Sequence, residues 1–304
     1  MHQVTSCLMF TLATIMATMS KAQTPRANVR NIATLPGVSV DQAILMPNGN
    51  VVLYTEPDSI VAYDLTTKRS TLVAHGWWPE LAITRAGDRI AYGHPTEDRK
   101  TGHIWTLSIN PTTGTAVGPA RQVTTGLGHT ASFSPDGKFL TFEIHPPPSD
   151  SSRPHSQLAV VPTVGGTERI IGTFPGGIGA LGWSDDGQWV FAKAQGTLLR
   201  VPVNGGASQV VLSYTGGAPI VSSDGQLLLY NPSRTARAEG RLGFTTATGV
   251  QGEFPIPPGA DVGTYVDNGS PKSLLIVITR TSGVPTTTLF ELDVTPILQY
   301  IKKP

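Results

Sequence analysis

The sequence predicts an all-β protein: a six-bladed β-propeller of four-stranded antiparallel blades, its ring closed by the N-terminal strand. Three observations predict it. First, a phrase of the form strand, tight turn, strand recurs along the chain. Residues 131–142, 181–191 and 219–230 are strong copies, 44–54 and 83–92 are weaker, and 266–278 is the poorest. Second, the turn glycines Gly49, Gly87, Gly137, Gly187, Gly225 and Gly269 lie 38, 50, 50, 38 and 44 residues apart, a spacing that suits one four-stranded blade each. Third, no segment sustains helical periodicity, whereas the residues after each turn alternate and are rich in β-branched and aromatic types.

Residues 1–22 stand apart from the repeats. Residues 8–19 are apolar, and Ser20-Lys21-Ala22 has the small-x-small form of a signal-peptide cleavage site. A cleaved secretory leader is expected. An uncleaved leader is the alternative and the only foreseen contact with a membrane, although the apolar run is short for a span. Cleavage would remove Cys7, the single cysteine, and Lys21, taking the formal charge of +1 to about zero. A cysteine-free exported chain suits the periplasm or secretion. The remaining expected units are a propeller over 28–297 and a C-terminal tail over 298–304.

Residues 29–35 read as a spare strand ahead of the first phrase. Within each phrase the turn chemistry comes in order. In Ser134-Pro135-Asp136-Gly137, Pro presets φ, Asp bonds nearby backbone, and Gly takes the left-handed position. Two further strands follow each phrase: 104–109 and 120–124, then 158–162 and 168–172, then 197–201 and 208–212. Gly165-Gly166 and Gly205-Gly206 join the last two pairs as hairpin turns. The last blade has only 262–266, 274–279 and 288–293, so the strand at 29–35 is expected to complete it. Such closure removes exposed sheet edges.

The unit Ser-Pro-Asp-Gly-Lys-x-Leu-x-Phe, with Gly165-Gly166-Thr167-Glu168-Arg169 and Gly205-Gly206-Ala207-Ser208 before the fourth strands, resembles the WD40-like repeat of the TolB family. The resemblance spans nearly all of the chain after the leader and is strongest over 131–230. It implies a six-bladed propeller, and its motif residues make turns and core rather than a site.

Charged residues are 14% of the chain, well below the usual quarter. Together with the charge of +1, this leaves no electrostatic footprint for nucleic acid. Gly-x-Ser-x-Gly, P-loop, His-Glu-x-x-His and calcium-loop patterns are all absent from the sequence. No catalytic residue, metal site or cofactor is therefore expected.

The unrepeated residues point elsewhere. Propeller wiring puts the Asp-Gly and Gly-Gly turns on one face. The loops between second and third strands, and the crossings between blades, fall on the other, upper face. All six histidines beyond the leader fall in such upper loops: His75, His94, His103, His129, His145 and His155. Metal ligation, recognition and plain solvated loops are the three readings of that cluster. Trp77-Trp78-Pro79-Glu80 lies in the first crossing, where paired tryptophans beside a carboxylate can anchor a peptide or sugar. Glu56 and His94 hold like positions in adjacent blades and could pair.

The expectation is a TolB-like, non-catalytic exported propeller. It would bind a protein or peptide through Trp77, Trp78, Glu80, Glu56, His94, His129 and His145. The alternatives are a lactonase-like hydrolase or lyase, or a carbohydrate or small-ligand sensor, with its site at the channel mouth.

Overall fold

Each strand–turn–strand phrase folds into the inner hairpin of a four-stranded antiparallel sheet. The computed structural model describes residues 28–301, apart from 41, 77–80, 96–101, 127, 145–154, 214–216, 223, 224, 226, 263–272, 281–285 and 294.

Five blades are built from four consecutive strands. The first holds Ala43–Leu45, Val51–Glu56, Ser59–Asp64 and Ser70–His75. The second holds Leu81–Ile83, Arg89–Pro95, Gly102–Ser108 and Arg121–Gln122. The third holds Gly128–Phe133, Phe139–Ile144, His155–Pro162 and Arg169–Pro175. The fourth holds Ile178–Trp183, Trp189–Ala194, Thr197–Pro202 and Gln209–Ser213. The fifth holds Gly217–Val221, Leu227–Asn231, Arg241–Thr246 and Gln251–Pro255.

A further four-stranded sheet is composite. Its order is Asn28–Pro36, Thr286–Asp293, Ser273–Arg280, Asp261–Val262, so the two ends of the chain meet in it. The inner strands of the first four blades touch in sequence, as do those of the fourth and fifth. The composite sheet touches the fifth blade through Asp261–Val262 and the first through Ser273–Arg280. The chain is an all-β propeller.

Strand alternation divides the core among the junctions. In the second strand of the first blade, Val51 and Leu53 face the second blade, while Val52 and Tyr54 face the composite sheet. The fourth blade repeats the rule: Val190 and Ala192 pack toward the third blade and Phe191 toward the fifth. The buried hydrophobic residues accordingly form clusters at the successive junctions, each shared by two sheets. Removing one of these fully buried side chains, such as Phe142 or Leu53, from water contributes roughly 1.5–3 kcal/mol. The gain depends on the neighbouring blade being present.

The lower-face turns behave as their sequence requires. The Ser134 hydroxyl donates to Asp136 Oδ1 (2.7 Å) and accepts from Phe139 N (2.9 Å), while Gly137 N donates to Ser134 O (2.8 Å). Ser184, Asp186, Gly187 and Trp189 repeat the pattern. In the first blade Asn48 stands for Asp, and its Oδ1 accepts from Asn50 N at 2.9 Å. Successive turns also nest. A methyl group on Gly87 would lie 2.9 Å from Pro47 of the preceding blade, and one on Gly225 would collide with the ring of Phe191.

Polar latches accompany the upper crossings. Val40 N donates to Thr287 Oγ1 (3.3 Å), Leu81 N to Gln42 Oε1, and Ile178 N to Glu143 Oε1 (3.3 Å). In each case a side chain of the preceding sheet satisfies backbone arriving in the next.

The outer strands of the first, third and fourth blades carry bulges at equivalent places, at Ile60/Val61, Leu158/Ala159 and Leu198/Leu199 of their partners. Leu72, Ile170 and Val210 are left exposed beside them. A bulged, twisted outer edge is a poor template for pairing with another chain.

Two short helices depart from the sequence expectation. Arg234–Ala238 fills the second-to-third-strand loop of the fifth blade, its N-cap Ser233 accepting from Ala236 N at 2.9 Å. At five residues it is too short to show a period. Thr295–Ile301 crosses the expected boundary between ring and tail. Its Ile297 is fully buried in the cluster that holds Leu292 and Phe254.

Two outcomes follow for stability. Gly225 combines φ +69° with contact on Phe191, so Gly225→Ala should cost roughly 2–4 kcal/mol. Gly137 has a like φ but its nearest neighbour is 3.4 Å away, so Gly137→Ala should cost less. Urea melts of the pair check the order. The Ser hydroxyls first, and backbone N–H groups second, hold the Asp136 and Asp186 carboxyls below the usual range. A depressed folded pKa adds stability above the unfolded pKa of about 3.9 and loses it as pH falls through the folded value. Melting temperature should therefore drop below about pH 4, less so in the Asp136→Asn, Asp186→Asn double variant.

Candidate functional site

The first strand of the third blade supplies the most distinctive backbone in the ring. Its residues Gly128 and His129 pair with Ile144 and Glu143, and the register then slips before Ser132 pairs with Thr141. Inside that bulge Thr130 has φ +53°. Three non-glycine residues among those described adopt left-handed backbone: Lys68, Thr130 and Gln195. Lys68 and Gln195 stand in turns, where such angles are ordinary. Thr130 is β-branched and stands in a strand, where the conformation costs of order 1–3 kcal/mol. The fourth and fifth blades bulge at the same level, between Ala180 and Gly182 and between Gly217 and Ile220, without a non-glycine in the left-handed region.

The strand is fixed on both sides. A side chain at Gly128 would meet Phe142 at 2.8 Å and Ile104 at 3.1 Å, so glycine lets the strand lie against the core. Ser132 O accepts from Trp183 Nε1 of the next blade at 3.1 Å. His129 itself is half-buried. Opposite it, Glu143 is 5% exposed and receives the Ile178 amide. The strained residue is thus held next to an imidazole by contacts to three blades.

The other expected residues divide between two groups. Glu56 ends the second strand of the first blade and accepts from Ser59 Oγ at 3.2 Å. His94 lies near the end of the second strand of the second blade, its ring 5.1 Å from that of Trp105 at a tilt of 37°. Each makes a contact within its own sheet. Trp77, Trp78, Glu80 and His145 lie outside the described residues. Of the other histidines, His103 Nδ1 is 3.2 Å from Gly126 O, and His75 and His155 are exposed. Among the described residues no group of three or more His, Cys, Asp or Glu side chains could hold a metal ion.

Three polar residues at equivalent places in successive second strands escaped the sequence reading: Glu143, Lys193 and Asn231. Lys193 covers Gly179, where an added Cβ would lie 2.6 Å from its Cε. The Oδ1 of Asn231 is buried without a hydrogen-bond partner. Their only signal was polarity near the end of an otherwise apolar strand. Of the three tryptophans that lie in strands, Trp105 and Trp189 are only half-buried. Trp183 is buried, but Trp189 is half-buried under the Arg200 guanidinium, 4.5 Å from its ring centroid, and Phe139 is 41% exposed. Burial pushes the hydroxyls of Tyr54, Tyr92 and Tyr230 above their ordinary range, so they stay protonated at neutral pH and are poor bases.

No protein-family model matches the chain, and no curated protein sequence matches it. Solved structures do resemble it. A putative TolB from Agrobacterium tumefaciens superposes with a TM-score of 0.56 at 17% identity, covering 76% of this chain and 89% of that one. TolB from Acinetobacter baumannii superposes with a TM-score of 0.54 at 16% identity, over 73% of this chain. The fold is that of the TolB propeller. This chain spans 55% of the length of the Acinetobacter protein, and at such identities the likeness concerns fold alone. Among the described residues no helix is long and apolar enough to cross a membrane.

The strain at Thr130 gives a direct prediction. Thr130→Gly should raise stability by roughly 1 kcal/mol, because relief of the left-handed penalty exceeds the added chain entropy. Glu143→Ala should lower it by about 1–3 kcal/mol, since the Ile178 amide loses its acceptor at a buried junction. Chemical denaturation of both variants tests the two signs.

Proposed function

We propose that this chain is an exported, non-catalytic propeller, periplasmic or secreted, that binds a protein or peptide on its upper face. In this reading the composite sheet completes the ring as a sixth blade, and the leader-like segment 1–22 directs export. The observation that carries the proposal is the left-handed Thr130 beside His129. Strain of this kind, away from any turn and held by three blades, is found where a backbone is shaped for a ligand rather than for its own stability.

Position in the chain supports the same sector. Glu56 ends and His94 nearly ends the second strand of its blade, and Trp77, Trp78 and Glu80 fall in the connection between those two blades. His145 directly follows the second strand of the third blade. The seven residues therefore belong to three consecutive blades. Tryptophans with a polar rim suit a peptide anchor. The lack of a Gly-x-Ser-x-Gly nucleophile motif supports binding without catalysis.

The test is affinity capture from an envelope extract with the wild-type chain and with Trp77→Ala, Trp78→Ala and His129→Ala variants that melt like the wild type. A specific partner should be retained by the wild type and lost by all three. A partner held equally by every variant would falsify the upper-face assignment.

A further inference from the structure

On the opposite, lower face a cleft of about 540 Å³ opens between the second and third blades, within the range of small-ligand sites. The turn before Arg89 forms one wall, the turn before Phe139 another, and residues 162–164 the floor. We propose that this cleft is a second binding site, independent of the upper face. It takes an extended peptide segment that presents a side-chain carboxylate next to an aromatic or aliphatic residue.

The argument rests on charge and exposure. Arg89 is half-buried in the cleft, and its one side-chain hydrogen bond among the described residues runs from Nη1 to Thr163 Oγ1 at 3.0 Å. No carboxylate pairs with it among the described residues, which is unusual for a partly desolvated guanidinium. Thr163 is pinned by Gly137 O (3.1 Å) and Lys138 O (3.2 Å), so the cation is held in place from the third blade.

The carboxylates in the walls are already committed. Asp88 Oδ1 accepts from Thr84 Oγ1 at 2.6 Å, and Asp136 Oδ1 accepts from Ser134 Oγ and Lys138 N. Arg85 reaches past the third blade to Asp185 at 2.5 Å. Lys138 lies 3.4 Å from Asp136 Oδ2 at 75% exposure, a surface contact that an incoming carboxylate displaces at little cost. Apolar surface stands at the same rim: Phe139 is 41% exposed and Val164 58%. A fixed guanidinium, a free-swinging ammonium and two exposed apolar side chains match a peptide that alternates acidic and apolar residues.

The probes are the peptide acetyl-Phe-Glu-Glu-Leu-amide and its counterpart acetyl-Phe-Gln-Gln-Leu-amide, titrated calorimetrically into the full chain at low salt. The acidic peptide should saturate and bind at least tenfold tighter than the glutamine peptide, as a charge-assisted bidentate bond implies. Arg89→Gln should weaken it by tenfold or more, and Phe139→Ser by about fivefold. Arg241→Gln, which removes an exposed cation of the fifth blade, should leave it unchanged. Phe139 is exposed enough for its variant to fold, so it carries the test should Arg89→Gln melt early through loss of the Thr163 contact. Equal binding of the two peptides, no binding of the acidic one, or wild-type affinity in folded Arg89→Gln or Phe139→Ser overturns the proposal.

Discussion

Pairing between strands from opposite ends of the chain is the interaction on which the rest of the ring depends. Asn28–Pro36 runs antiparallel to Thr286–Asp293, from Asn28 opposite Asp293 to Pro36 opposite Thr286, with one bulge at Asn31/Ala33. Arg30 faces Glu291 across the pair and donates from Nε at 3.0 Å. That exposed ion pair adds little by itself. The larger contribution comes from Ala33, Leu35 and Leu289, buried with Val40, Ala43 and Leu45 of the first blade. Every hydrophobic cluster here is shared between two sheets, so no sheet buries its faces alone. Without the terminal strand, the junction between the composite sheet and the first blade would open, and its neighbours would lose one wall.

The two faces of the ring are built by different rules. Below, hydroxyl, carboxylate and glycine close each turn within itself, and the nested glycines pack one turn on the last. Above, backbone crossing between blades relies on Thr287, Gln42 and Glu143 from the sheet before. Self-sufficient turns leave their outer surfaces available, as at Arg89 and Phe139. Connections that borrow their partners couple neighbouring blades, and it is there that Thr130 is held in an unfavourable conformation. One repeat thus provides both a rigid scaffold and a place to store strain.

The fold was legible because its signals are local and repeated. Ser134-Pro135-Asp136-Gly137 announces a hairpin wherever it occurs, and a count of such hairpins announces a propeller. The strand at residues 29–35 was legible as a partner only because the last blade lacked one. The helix at Arg234–Ala238 was not, since a single turn has no period. The candidate site was read less completely. His129 could be placed by counting strands, but the angle at Thr130 depends on a bulge set by packing of Gly128 against Phe142 and Ile104. Glu143, Lys193 and Asn231 read as ordinary strand polarity, because which junction a side chain enters is decided by the neighbouring blade. The lower cleft was invisible for the same reason: Arg89 and Phe139 come from turns 50 residues apart in the repeat.

The central claim is that closure by the terminal strand makes the ring one cooperative unit. Hydrogen exchange on the intact chain tests it most directly. Amides of Asn28–Pro36 that bond to Thr286–Asp293 should exchange only through the same opening that exposes the inner strands of the third and fourth blades, with the same denaturant dependence. Fast exchange of that strand at low denaturant, while the inner strands stay protected, would show that the ring holds without its closure and would contradict the account.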